Sequence, residues 1–269
     1  MNTLKRGPVD NLGSFLRTLA ALPSCQASED FFSDRLLRRE KISGSGLFLS
    51  TGTASASENW AFVPAAFSEE EAASALAFFE AHKMPFIWPL FPWTGTNACR
   101  NILHELGLEE AGVLQAMSRR TVGAGTASPL LTFKAHGSQD EAGFWADAVW
   151  RSFGADTPAP LSFASLARYL ASSKNIRLVT AFLDGEPAGA FLVHLDSSTA
   201  GIYYFAVMPC FRRRGVARGM MAEASRLALE AGRDTLVLQA TPSGFLFYRS
   251  EGFETLFDIP LFSTSTDVF

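Results

Sequence analysis

Between Gly201 and Phe253 the sequence joins an apolar aromatic run, a basic turn and a helix-period segment with little between them, and few folds accept that join. Ile202 to Val207 reads as a buried strand, broken at Met208-Pro209 because proline cannot donate to a ladder. Arg212-Arg213-Arg214-Gly215 follows and opens into a helix whose apolar positions are Val216, Met220, Met221, Ala224, Leu227 and Ala228, closed by Gly232. A helix start carries N–H groups without partners and the positive end of the dipole. Gly215 lets an anion approach the backbone, and Arg212, Arg213, Arg214 and Arg218 supply charge, so this join is suited to a phosphate.

The spacing narrows the ligand. The Gly-Lys-Ser/Thr ending of a P-loop is missing, and so is G-x-G-x-x-G. Arg212-x-x-Gly215-x-Ala217, preceded by a strand ending in Val207-x-Pro209, resembles the pyrophosphate-binding motif of the GNAT superfamily of acyl-CoA-dependent N-acetyltransferases. Downstream, strand Thr235 to Gln239 and a short helix ending Tyr248-Arg249-Ser250-Glu251-Gly252-Phe253 resemble the same family's following elements. The resemblance covers about residues 130–269.

It implies acetyl-CoA as co-substrate, its diphosphate held by backbone N–H groups of Arg213, Arg214, Gly215, Val216 and Ala217 with the arginine side chains of the turn, Arg212, Arg213, Arg214 and Arg218, reinforcing. It implies that Phe205, Ala206 and Val207 pair with the pantetheine arm, one N–H there, that of Val207, facing the thioester carbonyl. Tyr248 stands where the family carries the phenol that protonates the departing thiolate. Thr241 stands where many relatives carry asparagine, and Gly244 where many carry alanine. Several relatives use a glutamate on the strand equivalent to 201–207, which holds no carboxylate here. His194 and Asp196, ending the preceding strand, are the candidate bases, with a structural histidine the plainer reading of His194. Nothing places a base beside Cys210, so direct attack by the amine is expected.

The whole chain sets the bounds. With 269 residues it accommodates one large domain or two, and 48% hydrophobic with 19% charged residues describes a soluble globular protein. A net charge of −4 excludes a general nucleic-acid binder and makes the arginines a local site. No run is long and apolar enough for a membrane span, and Met1 to Arg17 lacks the apolar core of a secretory signal. Cys25, Cys99 and Cys210 are far apart without metal-ligand spacing, which reads as free thiols in a reducing cytoplasm and no metal. The 24 phenylalanines fit two aromatic-rich cores.

Read in order, helices are expected over residues 1–20 and Phe31 to Arg39, and strands over 46–50 and 60–64 around a turn at 51–57. Ser68 before three glutamates starts a helix to about His82, with Ala72, Ala75, Leu76 and Phe79 inward. A strand over 85–91, a helix from 96 to 106 and a strand over 114–117 follow. The glycine-rich segment 122–129 is the expected boundary, separating domains at 1–122 and 130–269. Thereafter the order is β-α-α-β-β-β-α-β-α-β, with Asp184-Gly185 as a hairpin turn. The expected fold is α/β (α+β), a mixed, mostly antiparallel twisted sheet flanked by helices. The first half is either a degenerate copy of the GNAT module, making a tandem, or an unrelated α/β cap. Trp60, Trp88 and Trp93 could line a substrate cleft, though core packing explains them as well. A last strand within 255–269, if exposed, allows a homodimer. The preferred acceptor is a small-molecule or amino-acid-like primary amine. The rival readings are a non-catalytic acyl-CoA-binding module and a nucleotide-phosphate binder that would take ATP.

Overall fold

The computed structural model of the chain describes residues 3–21, 38–41, 46–94, 96–121, 130–266 and 268. The expected boundary segment 122–129, residues 31–37 of the expected second helix, and Cys25 lie outside the described residues. The chain forms two compact units, one of residues 1–15, 118–238 and 251–254, the other of 16–117, 239–250 and 255–269.

Helix α1 (Thr3–Ala21) begins the chain. The second unit then carries a three-stranded antiparallel sheet, β1 (Arg38–Lys41), β2 (Leu47–Ser50) and β3 (Trp60–Phe62). Arg38 and Arg39, expected to end a helix, are strand residues opposite Ser50 and Leu49, because pairing with β2 satisfies their backbone. Helix α2 (Glu69–Ala81) starts as its sequence dictates. The Ser68 hydroxyl accepts from the Glu71 N–H, and the Glu71 carboxylate accepts from the Ser68 N–H. Ser68→Ala should lower stability by about 1 kcal/mol, read from a shifted urea midpoint at unchanged slope. Leu76 is only partly buried, and Phe78 takes the inward position instead.

β4 (Trp88–Pro89), α3 (Asn97–Glu105) and β5 (Glu109–Arg120) follow, α3 capped by the Thr96 hydroxyl. Phe48, Phe67, Phe79, Phe86, Trp88, Leu103 and Phe262 form this unit's core. Trp88 is therefore a core residue, and Trp93 donates its indole N–H to Pro64. β11 (Glu254–Ser263) lies between β4 and β5 in the sheet, so the last strand is not an open edge.

The first unit holds β6 (Leu131–His136), α4 (Gln139–Ser152), α5 (Leu161–Ala171), β7 (Ile176–Leu183), β8 (Glu186–Leu195), β9 (Ala200–Val207), α6 (Val216–Glu230) and β10 (Thr235–Ala240). Its strands run in the order β10-β9-β8-β7-β6, antiparallel except for β9 and β10, which are parallel. Asp184 and Gly185, both at positive φ (55° and 84°), make the tight turn joining β7 to β8. Trp145 of α4 is fully buried and donates its indole N–H to Phe191 of β8, tying the helix to the sheet. α7 (Pro242–Ser250) belongs to the second unit. Among the described residues, no helix is long and apolar enough to cross a membrane.

Candidate functional site

The site begins with a strand held on one side. β9 keeps β8 as its partner as far as Val207, opposite Gly189. With β10 it pairs only at Ala200 and Gly201, opposite Leu236 and Val237, and the register does not continue to Ile202 and Leu238. The two parallel strands thus part just where Phe205, Ala206 and Val207 follow. Within this unit those residues are half-buried, and Ala206 and Val207 ladder to Ala190 and Gly189 of β8. A bulge marks the same stretch: Leu192 faces Tyr203 and Ala190 faces Ala206, so Phe191 alone opposes Tyr204 and Phe205. Tyr204 takes the extra residue's strain at φ 50°, its ring held edge-on against Trp145 and Phe163.

β9 then gives way to a short 3-10 turn, Pro209–Phe211, and to the arginines. Arg213 and Gly215 adopt positive φ, 60° and 82°, which wraps the chain around the start of α6. Gly215 is the residue before the helix and accepts from Gly219, while the N–H groups of Arg213 to Arg218 reach no carbonyl among the described residues. Val216 is buried and Ala217 half-buried beneath them. Arg213 is exposed. Arg214 pairs with Asp184 at 3.4 Å and stacks on Phe211, and Arg218 pairs with Glu251 at 3.1 Å. Exposed pairs of this kind are worth little, so both guanidinium groups can turn to an incoming anion. The donor set fits a diphosphate: free N–H groups, a helix dipole and mobile cations at one turn.

Arg212 departs from its expected side-chain role. Its Nε donates to the Val207 carbonyl at 3.1 Å and its Nη2 to the Ser152 carbonyl at 3.2 Å, while its own N–H donates to Pro209 at 3.4 Å.

Tyr248 and Thr241 lie in the second unit. Thr241 precedes α7, accepts from the N–H groups of Gly244 and Phe245, and holds the Ser243 hydroxyl at 3.0 Å. Tyr248 is buried, and that burial pushes its phenol well above the ordinary range. A Cβ on Gly244 would sit 2.9 Å from the Tyr248 ring, so the glycine is what lets this ring lie against the helix.

The candidate bases are held structurally. His194 is wholly buried, its Nδ1 3.2 Å from the Asn11 Oδ1, and burial depresses it to about 4 despite the neighbouring Asp196. The same Asn11 oxygen accepts from the Tyr203 hydroxyl at 2.9 Å, and the Asn11 amide donates to Thr199 at 2.8 Å. Asp196 accepts from Ser14 at 3.1 Å. No local pattern reveals Asn11, whose partners are more than 180 residues away. The unfolded chain binds a proton at His194 below about pH 6.5 and the native one only below about 4. Stability should therefore fall by up to about 3 kcal/mol between those values. His194→Gln should be less stable at pH 7 but lose less over that range, as urea unfolding at several pH values will show.

The parting of β9 from β10, the bulge and the glycine-started helix thus come together at one end of β9. Residues 147–261 match the family model described as the acetyltransferase (GNAT) domain. Among solved structures it is similar to a GCN5-related N-acetyltransferase from Kribbella flavida (15% identity, TM-score 0.65, 98% of this chain and 96% of that one). It is also similar to a tandem GNAT protein from the clavulanic acid biosynthesis pathway (12%, 0.58, 96% and 95%). A functionally unknown conserved protein from Staphylococcus epidermidis gives 16%, 0.57, 87% and 97%. At such identities these likenesses establish the fold, and two of them extend over nearly the whole chain. No curated protein matches the sequence.

Proposed function

We propose that the protein transfers an acetyl group from acetyl-CoA to the primary amine of a small-molecule or amino-acid-like acceptor, by direct attack of the amine. The observation that carries this reading is the half-paired β9 leading into a helix start whose first N–H groups reach no carbonyl among the described residues. The N–H groups of Arg213 to Ala217, with the Arg213, Arg214 and Arg218 side chains, hold the diphosphate. Phe205, Ala206 and Val207 face the pantetheine, and the Val207 N–H stabilises the carbonyl oxygen as charge develops. Thr241 assists the pantetheine and Tyr248 protonates the leaving thiolate. The amine loses its proton to water, since β9 holds no carboxylate and His194 is sealed. Residues 130–269 carry the transferase, and 1–122 form a degenerate copy of the module.

Those last features of the base also favour the second reading, a non-catalytic acyl-CoA-binding module. Thermal unfolding decides the shared part first. Acetyl-CoA at roughly a hundred times its dissociation constant should stabilise by about 2.7 kcal/mol, several degrees, while ATP should not. No shift at saturation would overturn both readings. Turnover against an amine panel then separates enzyme from module.

A further inference from the structure

Where Arg214 and Arg218 pair with carboxylates, Arg212 donates to backbone carbonyls. Its guanidinium spans two carbonyls, Val207 at the end of β9 and Ser152 at the end of α4. The Ser152 carbonyl is a terminal acceptor that α4 cannot satisfy itself, at the negative end of the helix dipole. Ser152 is buried and its hydroxyl is anchored to Ala148, so this end of the bridge is fixed. At the other end Met208 donates to Ala188, which closes the β8–β9 ladder beside the carbonyl that Arg212 grips.

Building on the acetyl-transfer reading, we propose that Arg212 is a positioning residue: it fixes the Val207–Met208 peptide, and with it the strand end that faces the thioester, and does not itself bind the diphosphate. The fork is needed because a lysine ammonium cannot hold both carbonyls in one plane.

The test compares Arg212→Lys with Arg214→Ala in the full chain. Arg212→Lys should speed amide exchange at residues 206–209 about tenfold, lower kcat with the amine panel ten- to a hundredfold, and leave the acetyl-CoA dissociation constant within about twofold. Arg214→Ala should instead weaken acetyl-CoA binding while amide exchange at residues 206–209 stays as in the wild type. In Arg212→Ala, added methylguanidinium should restore protection and part of kcat. A tenfold loss of acetyl-CoA affinity in Arg212→Lys would make it a ligand and overturn the proposal. Faster exchange with unchanged kcat would overturn it too, leaving a purely structural tie. Failure of the wild type to bind acetyl-CoA would instead remove the acetyl-transfer reading, while exchange still reports whether the bridge fixes the strand end.

Discussion

Gly215→Glu should abolish acetyl-CoA binding, raising its dissociation constant at least about a hundredfold and erasing the ligand-dependent rise in melting temperature. Two effects combine. Gly215 sits at φ 82°, where a side chain costs about 1–2 kcal/mol, although no atom lies within 4 Å of the Cβ it would gain. The new carboxylate would also stand among N–H groups aimed at an anion and compete for Arg214 and Arg218. Gly215→Ala carries only the first effect and separates strain from charge: a modest loss of affinity is expected. If Gly215→Glu bound acetyl-CoA normally, the anion turn would lie elsewhere.

Tyr248→Phe should lower kcat by about 10²–10⁴-fold while acetyl-CoA affinity stays within about twofold. Burial holds the phenol above its ordinary range, so it remains a proton donor throughout the alkaline range in which an acceptor amine becomes free base. The wild-type alkaline limb should consequently report some other group. Gly244→Ala offers an independent check, since its methyl would press on the Tyr248 ring at 2.9 Å and should give a milder kcat loss. Full activity of Tyr248→Phe across pH would sink the acid assignment and leave the anion turn untouched.

What the sequence made legible was whatever depends on neighbours in the chain. The Ser68 capping box, the Asp184-Gly185 hairpin, the Gly215 helix start and the Gly232 stop each rest on residues a few positions apart. The strand break at Met208-Pro209 was legible, whereas the parting of β9 from β10 begins six residues earlier, at Ile202, and was not. The Tyr204 bulge was hidden because it depends on how many residues the opposite strand supplies. Arg212 shows a different limit: spacing placed it in the turn, but side-chain torsions decide which acceptors a guanidinium reaches. The Asn11 hub was out of reach, since one oxygen there receives groups from strands far along the chain.

That hub, and the way each unit collects separate stretches of chain, bears on how the protein is made. The first unit gathers residues 1–15 and 251–254 around its centre, and the second needs strand β11 beside β4. On the ribosome α1 must therefore wait, its Asn11 unmatched, until His194 and Tyr203 have emerged, and β4 waits longer still for Leu261 and Phe262. Neither core can close early in synthesis, and closure over such separations is intrinsically slow. Nascent chains halted before residue 254 should be protease-sensitive from end to end, and resistance should arrive late and in both units within a few residues of each other.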